Sequence, residues 1–245
     1  MKFRLGTRGS ALALAQARKV ADQMRKSHLG LGVELVIIRT TGDVRSEFGE
    51  EVSAVVGEFS SALEEALIKS EIDGAVHSAK DLPTIIPKAL LVGAYPERVD
   101  PRDAWVYRAG EKYDANSLAW VGTESPRRRL FWSERWPLSR FQTIRGNVDR
   151  RMERCQQEKE WGGVLLACAG IDRLGGVAQG LTMERLDVHW MIPAPGQGAI
   201  AVQCRRDDQK SVEMLSLLDD PNVRSCVTAE KSFLQKWGGG CSESL

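Results

Sequence analysis

Short apolar runs rich in β-branched residues alternate along this chain with segments whose apolar positions recur at helical spacing. Runs at 2–5, 33–39, 74–77, 90–94, 104–107, 118–121, 141–145, 164–167 and 199–203 predict strands. A helix is expected from Ser10, and Phe59, Ala62, Leu63, Ala66 and Leu67 fall at i, i+3, i+4, i+7 and i+8, one face of another. Alternation of this kind indicates α/β architecture. After Asp220-Pro221 a last helix, with Val223, Cys226, Val227, Phe233 and Leu234 as its apolar positions, runs into Gly238-Gly239-Gly240-Cys241.

Two proline-bearing stretches, 96–103 and 192–198, interrupt the alternation and read as crossings between lobes. If the chain leaves a first lobe at one and returns at the other, the strand after Gly198 completes the first sheet. A hinged cleft then separates the lobes. The expected boundaries are 1–99 with 195–218 for domain 1, 100–194 for domain 2, and 219–245 as a third, short piece holding the last helix and the cysteine loop.

Composition narrows the function classes. With 42% hydrophobic and 27% charged residues, and 34 basic against 33 acidic side chains, the 245-residue chain is an ordinary globular one, and its net charge names no partner. No apolar run approaches the roughly 18 residues of a membrane span and no signal peptide opens the chain, so a cytoplasmic protein is expected. Five cysteines without a C-x-x-C pair, and three histidines, argue against structural zinc or a disulfide framework, and no metal is expected. Four of them, Cys155, Cys168, Cys204 and Cys226, read as small core residues. The seven tryptophans, Trp105, Trp120, Trp132, Trp136, Trp161, Trp190 and Trp237, adjoin apolar segments and read as core packing. Neither a P-loop nor a basic-aromatic repeat is present, so no nucleic-acid partner is expected.

Open α/β sheets bind ligands beyond the carboxyl ends of their strands. The residues found there are consistent: Arg8 and Ser10 after the first strand, Ser78, Lys80 and Asp81 after the 74–77 strand, Thr123, Ser125, Arg127 and Arg128 after the 118–121 strand, Arg145 and Asn147 after the next. Ser125-Pro126 is a strong helix start. Arg127 and Arg128 then occupy the first turn, where cations oppose the helix dipole, which favours an anionic ligand; taken alone, an arginine run is more often a solvated face. His77-Ser78-Ala79-Lys80-Asp81 gathers a histidine, a cation and a carboxylate. Without context that is a surface ion pair; among cations the carboxylate stays ionised and can hold N–H donors. Cys241 follows three glycines, which give little cover, and by itself reads as an incidental terminal thiol.

In order along the chain these residues resemble the hydroxymethylbilane synthase (porphobilinogen deaminase) family. The matching motifs are Thr7-Arg8-Gly9-Ser10-Ala11-Leu12-Ala13 with Gln16, Thr41-Gly42-Asp43, His77-Ser78-Ala79-Lys80-Asp81, and Glu97-Arg98-Val99-Asp100-Pro101-Arg102-Asp103. Val121-Gly122-Thr123, Arg145-Gly146-Asn147-Val148, Ala169-Gly170-Ile171-Asp172-Arg173-Leu174-Gly175, Pro193-Ala194-Pro195-Gly196-Gln197-Gly198-Ala199 and Gly239-Gly240-Cys241 complete them. The resemblance implies two periplasmic-binding-protein-like lobes and a monomer. It also implies head-to-tail condensation of four porphobilinogen molecules, with loss of ammonia at each step, to hydroxymethylbilane for tetrapyrrole synthesis. A dipyrromethane cofactor would be joined by a thioether to Cys241. Asp81, with Lys80, would be catalytic, the carboxylate holding pyrrole N–H groups. Arg8, Ser10, Ser78, Arg127, Arg128, Arg145, Arg151 and Arg173 would bind the acetate and propionate groups, with Gln16, Thr123 and Ser125 in support.

Three departures accompany the resemblance. Val55-Val56-Gly57-Glu58-Phe59 stands where the family usually has a lysine in a mobile loop. Glu124 replaces the usual serine, with Arg129 and Arg150 adding positive charge nearby. Family members also continue past the cysteine through a third domain, of which only the first helix and the cysteine loop are expected here. The alternative is a non-catalytic two-lobed carboxylate-binding or sensor protein derived from the same family.

Overall fold

A computed structural model describes residues 2–38, 58–111 and 119–237, with 58–60 as backbone only. In chain order the elements are β1 (Lys2–Thr7), α1 (Ala11–Ser27), β2 (Gly32–Ile37), α2 (Glu58–Ile68), β3 (Gly74–Ser78), a 3-10 turn (Ala79–Asp81) and β4 (Leu90–Ala94). Next come β5 (Asp103–Arg108), β6 (Trp120–Gly122), α3 (Pro126–Arg135), β7 (Arg140–Gln142), α4 (Val148–Gln157), β8 (Trp161–Ala167), α5 (Cys168–Arg173) and β9 (Leu181–Arg185). The chain closes with β10 (Ile200–Arg205), α6 (Gln209–Ser216) and α7 (Pro221–Trp237). The described residues of Met1–Val99 and Ala199–Cys241 form one compact unit and those of Asp100–Gly198 a second.

The sheet of unit 1 has the order β2-β1-β3-β10-β4. β1 pairs in parallel with β2 and β3, while β10 lies antiparallel between β3 and β4. Residues 74–77 of β3 are all buried, as in a strand covered on both faces. Helix α1 starts at Ser10, whose hydroxyl accepts the Ala13 N–H at 3.3 Å, and turns Ala17, Val20, Ala21 and Met24 onto Phe3 and Leu5. Helix α7 belongs to the same unit. Val223 and Val227 pack with Ala79, Leu82 and Tyr95, Arg98 pairs with Glu230 at 2.6 Å, and Lys231 donates to the Leu82 carbonyl. This puts α7 directly behind the Ala79–Asp81 turn.

Unit 2 has the order β7-β6-β8-β5-β9, with β6 parallel to β7 and β8, and β5 antiparallel to β8 and β9. Its core joins Ala104, Val106, Val164 and Leu166 to Met152 and Ile171, and a second cluster holds Trp105 and Trp132 with ring centroids 4.5 Å apart. At the start of β5, Asp100 accepts from Arg102 and from Arg185 of β9, and Arg185 also binds Asp172 of α5 at 2.7 Å. The Arg102 hydrogen bonds are the main reason the Asp100 carboxyl is pulled down to about 2.

Gly163 of β8 shows how tight this core is. A Cβ there would meet the Val106 carbonyl oxygen at 2.5 Å and the Trp105 ring at 2.6 Å. Gly163→Ala is therefore expected to destabilise the protein by about 1–3 kcal/mol, seen as a lower urea midpoint with an unchanged m value.

Some expectations change. The strand expected at 141–145 ends at Gln142, so Arg145 lies beyond β7, and β9 had no place in the predicted pattern. Cys155, Cys168 and Cys204 are core residues, but Cys226 is exposed. Phe233 and Trp237 are 56% and 66% exposed, stacked on each other outside the core. Among the described residues no helix is long and apolar enough to cross a membrane.

Candidate active site

In unit 1 the carboxyl ends of the parallel neighbours β1 and β3 deliver two short segments to one place. Arg8, Ser10, Gln16, His77, Ser78 and Asp81 line a single recess of about 70 Å3. Local bonding fixes both segments. Thr7, fully buried, donates its hydroxyl to the Ala13 carbonyl at 3.1 Å, and the Ala79 N–H donates to the Ala199 carbonyl at 3.0 Å. Ala79 and Leu82 are buried while Asp81, between them, is exposed. The turn is thus anchored on both sides of a carboxylate that faces solvent. Lys80 is half-buried beside it. Burial, reinforced by the charge of Arg8, holds His77 down at about 4, so its ring is a neutral wall of the recess rather than a charged partner of Asp81.

In unit 2 the corresponding strand end is that of β6. Thr123 is fully buried, and Ser125 caps α3 by accepting the Arg128 N–H at 3.4 Å, with Pro126 in the first turn. Arg127 and Arg128, each 6% exposed, close on the fully buried carboxylate of Asp103 from β5, both at 2.7 Å. Arg128 also donates to the Leu165 carbonyl at 2.9 Å, and Arg127 to that of Ile192. Burial alone would push the Asp103 carboxyl up, but the charges of Arg128 and Arg127 outweigh it and hold it below the usual carboxylate range. The two first-turn cations are thus already paired within unit 2. The anion they face is internal, although two guanidinium groups against one carboxylate leave the cluster positive.

The remaining cations sit nearby in the same unit. Arg145 donates from Nε to Glu124 at 2.9 Å, and Arg151 on α4 donates to the Gly146 carbonyl at 2.7 Å, a geometry that uses the left-handed φ of +97° at Gly146. Arg173 on α5 donates to the Gly198 carbonyl at 2.7 Å, yet its Nε is buried without a hydrogen-bond partner among the described residues. Burial lowers this guanidinium to about 10, so it remains cationic at neutral pH with one donor unused. Such a group suits a carboxylate ligand.

The structure therefore gathers Arg8, Ser10, Gln16, Ser78 and Asp81 in unit 1. It sets Thr123, Ser125, Arg127, Arg128, Arg145, Arg151 and Arg173 on the strand ends and helices of unit 2. Cys241, the 41–43 motif and the 55–57 segment lie outside the described residues. Burial pushes the thiols of Cys155, Cys168 and Cys204 up to about 11, which makes them poor nucleophiles. Sequence reasoning missed Asp103 and Gln197. Gln197 is buried and donates to the Pro101 carbonyl at 2.7 Å and to Asp103 at 3.0 Å. The available signal was an acidic residue opening an otherwise apolar strand.

Comparison with known proteins identifies the family and the fold. The family described as porphobilinogen deaminase, dipyromethane cofactor binding domain, matches residues 3–213. The chain is 40% identical over 241 residues to a probable porphobilinogen deaminase of Methanocaldococcus jannaschii, covering 98% of this chain and 80% of that one. To porphobilinogen deaminase 1 of Streptomyces coelicolor it is 44% identical over 245 residues, covering 98% and 75%. At the level of fold it resembles the effector binding domain of BenM with its effector benzoate, at a TM-score of 0.51 and 13% identity over 97% of this chain and 93% of that one. The regulatory domain of OxyR from Pseudomonas aeruginosa gives 0.50 and 9% over 92% and 97%. These likenesses establish a two-lobed α/β fold of the periplasmic-binding-protein kind with two mixed five-stranded sheets. By sequence, the chain belongs to the porphobilinogen deaminase family.

Proposed function

We propose that this chain is a hydroxymethylbilane synthase, condensing four porphobilinogen molecules head to tail, with loss of ammonia at each step, on a dipyrromethane primer held by Cys241. The observation that carries the reading is the recess at the ends of β1 and β3, where Asp81 stands exposed on an anchored turn with Arg8 and Ser10 around it. A carboxylate so placed accepts pyrrole N–H groups and stabilises positive charge that develops as an amine leaves. Lys80 assists as the adjoining cation.

The residues fit a polycarboxylate cofactor. The unused Nε of Arg173, the positive Arg127–Arg128–Asp103 cluster, and Arg145 and Arg151 provide donors of the kind that acetate and propionate groups require. Arg8, Ser10 and Ser78 serve the same groups in unit 1, with Gln16, Thr123 and Ser125 in support. When bound, the dipyrromethane supplies the pyrrole carbon from which the product grows. The protein's own part is to bind the acidic side groups and orient the pyrrole N–H toward Asp81. Domain boundaries at 99–100 and 194–195, with 219–245 as a short third piece whose helix α7 packs on unit 1, and a monomeric, cytoplasmic protein belong to the same proposal.

The test is intact-protein mass spectrometry with Ehrlich's reagent on protein from a host that makes porphobilinogen. A mass increase of one dipyrromethane, lost in Cys241→Ser, together with porphobilinogen consumption is the expected result. An unmodified Cys241 with no consumption sinks the proposal and favours reversible carboxylate binding without turnover.

A further inference from the structure

Unit 2 holds carboxylate–arginine contacts of two physically different kinds. Asp103 is fully buried between Arg127 and Arg128, with a further hydrogen bond from Gln197, so opening that contact would strand charges away from water. Glu124 and Arg145 instead meet at 2.9 Å with both side chains 38% exposed. A half-exposed pair of this kind is held weakly and exchanges with solvent or with another carboxylate at little cost.

The position of the second pair matters more than its strength. β6 and β7 are parallel neighbours, so Glu124 and Arg145 both lie beyond carboxyl ends of adjoining strands, where open α/β sheets take their ligands. Glu124 also immediately precedes Ser125, the cap of α3, so its carboxylate lies next to a helix N-terminus, which favours negative charge. An acidic ligand drawn to Arg145 would find there a carboxylate already in place. Thr123 and Ser125 on either side carry only hydroxyls, and Arg129 is turned to the Thr123 carbonyl and the Thr143 hydroxyl. Among the described contacts of Arg145, Glu124 supplies a negative charge at this strand end.

We infer that Glu124 is a built-in occupant of Arg145, a tethered carboxylate that an incoming substrate carboxylate must displace, and that it thereby sets substrate affinity at this position. The inference rests on the proposed function for the identity of the substrate. Glu124 acts through Arg145 and on binding alone. None of the contacts described for the Asp81 turn involves Glu124, so the chemical step is expected to keep its rate.

The experiment compares wild type with Glu124→Ser and Glu124→Gln, the second keeping an amide oxygen for Arg145 while removing the charge. Steady-state turnover gives KM and kcat for porphobilinogen, and titration calorimetry with porphobilinogen gives Kd. Both variants are expected to lower KM and Kd about 3- to 10-fold, with kcat changed less than about 2-fold, since one opposing charge near a solvent-exposed site is worth roughly that factor. In an Arg145→Gln background the same substitutions should shift KM far less. If Glu124 merely aligned Arg145, Glu124→Ser would raise KM and Glu124→Gln would restore it, which overturns the inference. Unchanged KM and Kd in both variants also overturn it. A wild type that consumes no porphobilinogen refutes the proposed function, while the Kd comparison, which needs no turnover, still decides the role of Glu124; absence of binding in wild type and variants alike refutes both.

Discussion

Asp81→Asn is expected to lower kcat for porphobilinogen by on the order of 10^2- to 10^4-fold while the protein stays folded. Bonds away from the carboxylate hold the turn. Ala79 is hydrogen-bonded through its N–H to Ala199, Leu82 is bonded through its carbonyl to Lys231, and both side chains are buried among residues that include Val223 and Val227 of α7. None of these contacts uses the Asp81 carboxylate, which is exposed. An amide of the same shape therefore leaves the backbone and the recess as they are and removes one thing, the negative charge. A neutral amide still accepts a pyrrole N–H bond but no longer stabilises cationic charge on the ring. Turnover by the Ehrlich assay, a thermal midpoint and the intact mass together check this. A midpoint within a few degrees of wild type with kcat reduced less than 10-fold would show that Asp81 is a binding residue only.

Asp103→Asn should act in the opposite way, on stability first. The carboxylate it replaces is fully buried and is met at 2.7 Å by two arginines that are themselves 6% exposed. Breaking a buried pair by removing one partner typically costs about 3–5 kcal/mol, because the remaining charge can neither reach water nor ionise differently. Here two guanidinium groups are left facing each other, so the upper part of that range is expected. The acid limb follows from the depressed carboxyl. Its stabilisation is fully present above the unfolded carboxylate value, near 4, and fades as pH falls through the lower folded value, so the difference between variant and wild type should shrink below about pH 4. Urea unfolding at pH 7 and at pH 3 measures both points. A loss under about 1 kcal/mol at pH 7 would mean that the arginines find other partners.

The alternating pattern was legible wherever burial was two-sided or the helix face was clean. Residues 90–94 were read as a strand and are one, and the buried run of β3 left no other reading. The edge strand β9 escaped because only one side of Leu181–Arg185 has a partner strand and its residues are mostly half-buried, so no apolar run announces it. The 141–145 run was extended too far because Ile144 is buried, yet it is buried in a segment that has already left the sheet. On α7, Val223, Val227 and Leu234 share one face within about 40°, whereas Cys226 and Phe233 stand some 60–80° round the helix, which is enough to bring them into solvent.

The site was readable to the extent that strand ends are readable. Arg8, Ser10, Ser78 and Asp81 came from that rule alone and line one recess. What the arginines of α3 face was not readable, because Asp103 sits on β5, two strands away from β6 across β8 in the sheet. A carboxylate 25 residues distant in sequence becomes a hydrogen-bond partner only once the strand order is known. The same holds for Glu124, whose pairing with Arg145 depends on β6 and β7 lying side by side.

The place of β10 has a consequence for how the chain is made. β3 and β4 emerge from the ribosome early, but the strand that joins them is β10, and Ile200 follows Ala94 by about a hundred residues. At ordinary elongation rates this leaves β3 with β1 alone as its neighbour, and β4 with no partner strand in the sheet, for on the order of 5–20 s. The described residues of unit 2, by contrast, form one contiguous stretch, Asp100–Gly198, all of it made before β10. Unit 2 is thus expected to fold before unit 1, and β3 and β4, still lacking β10, are where a nascent chain most needs shielding from its neighbours.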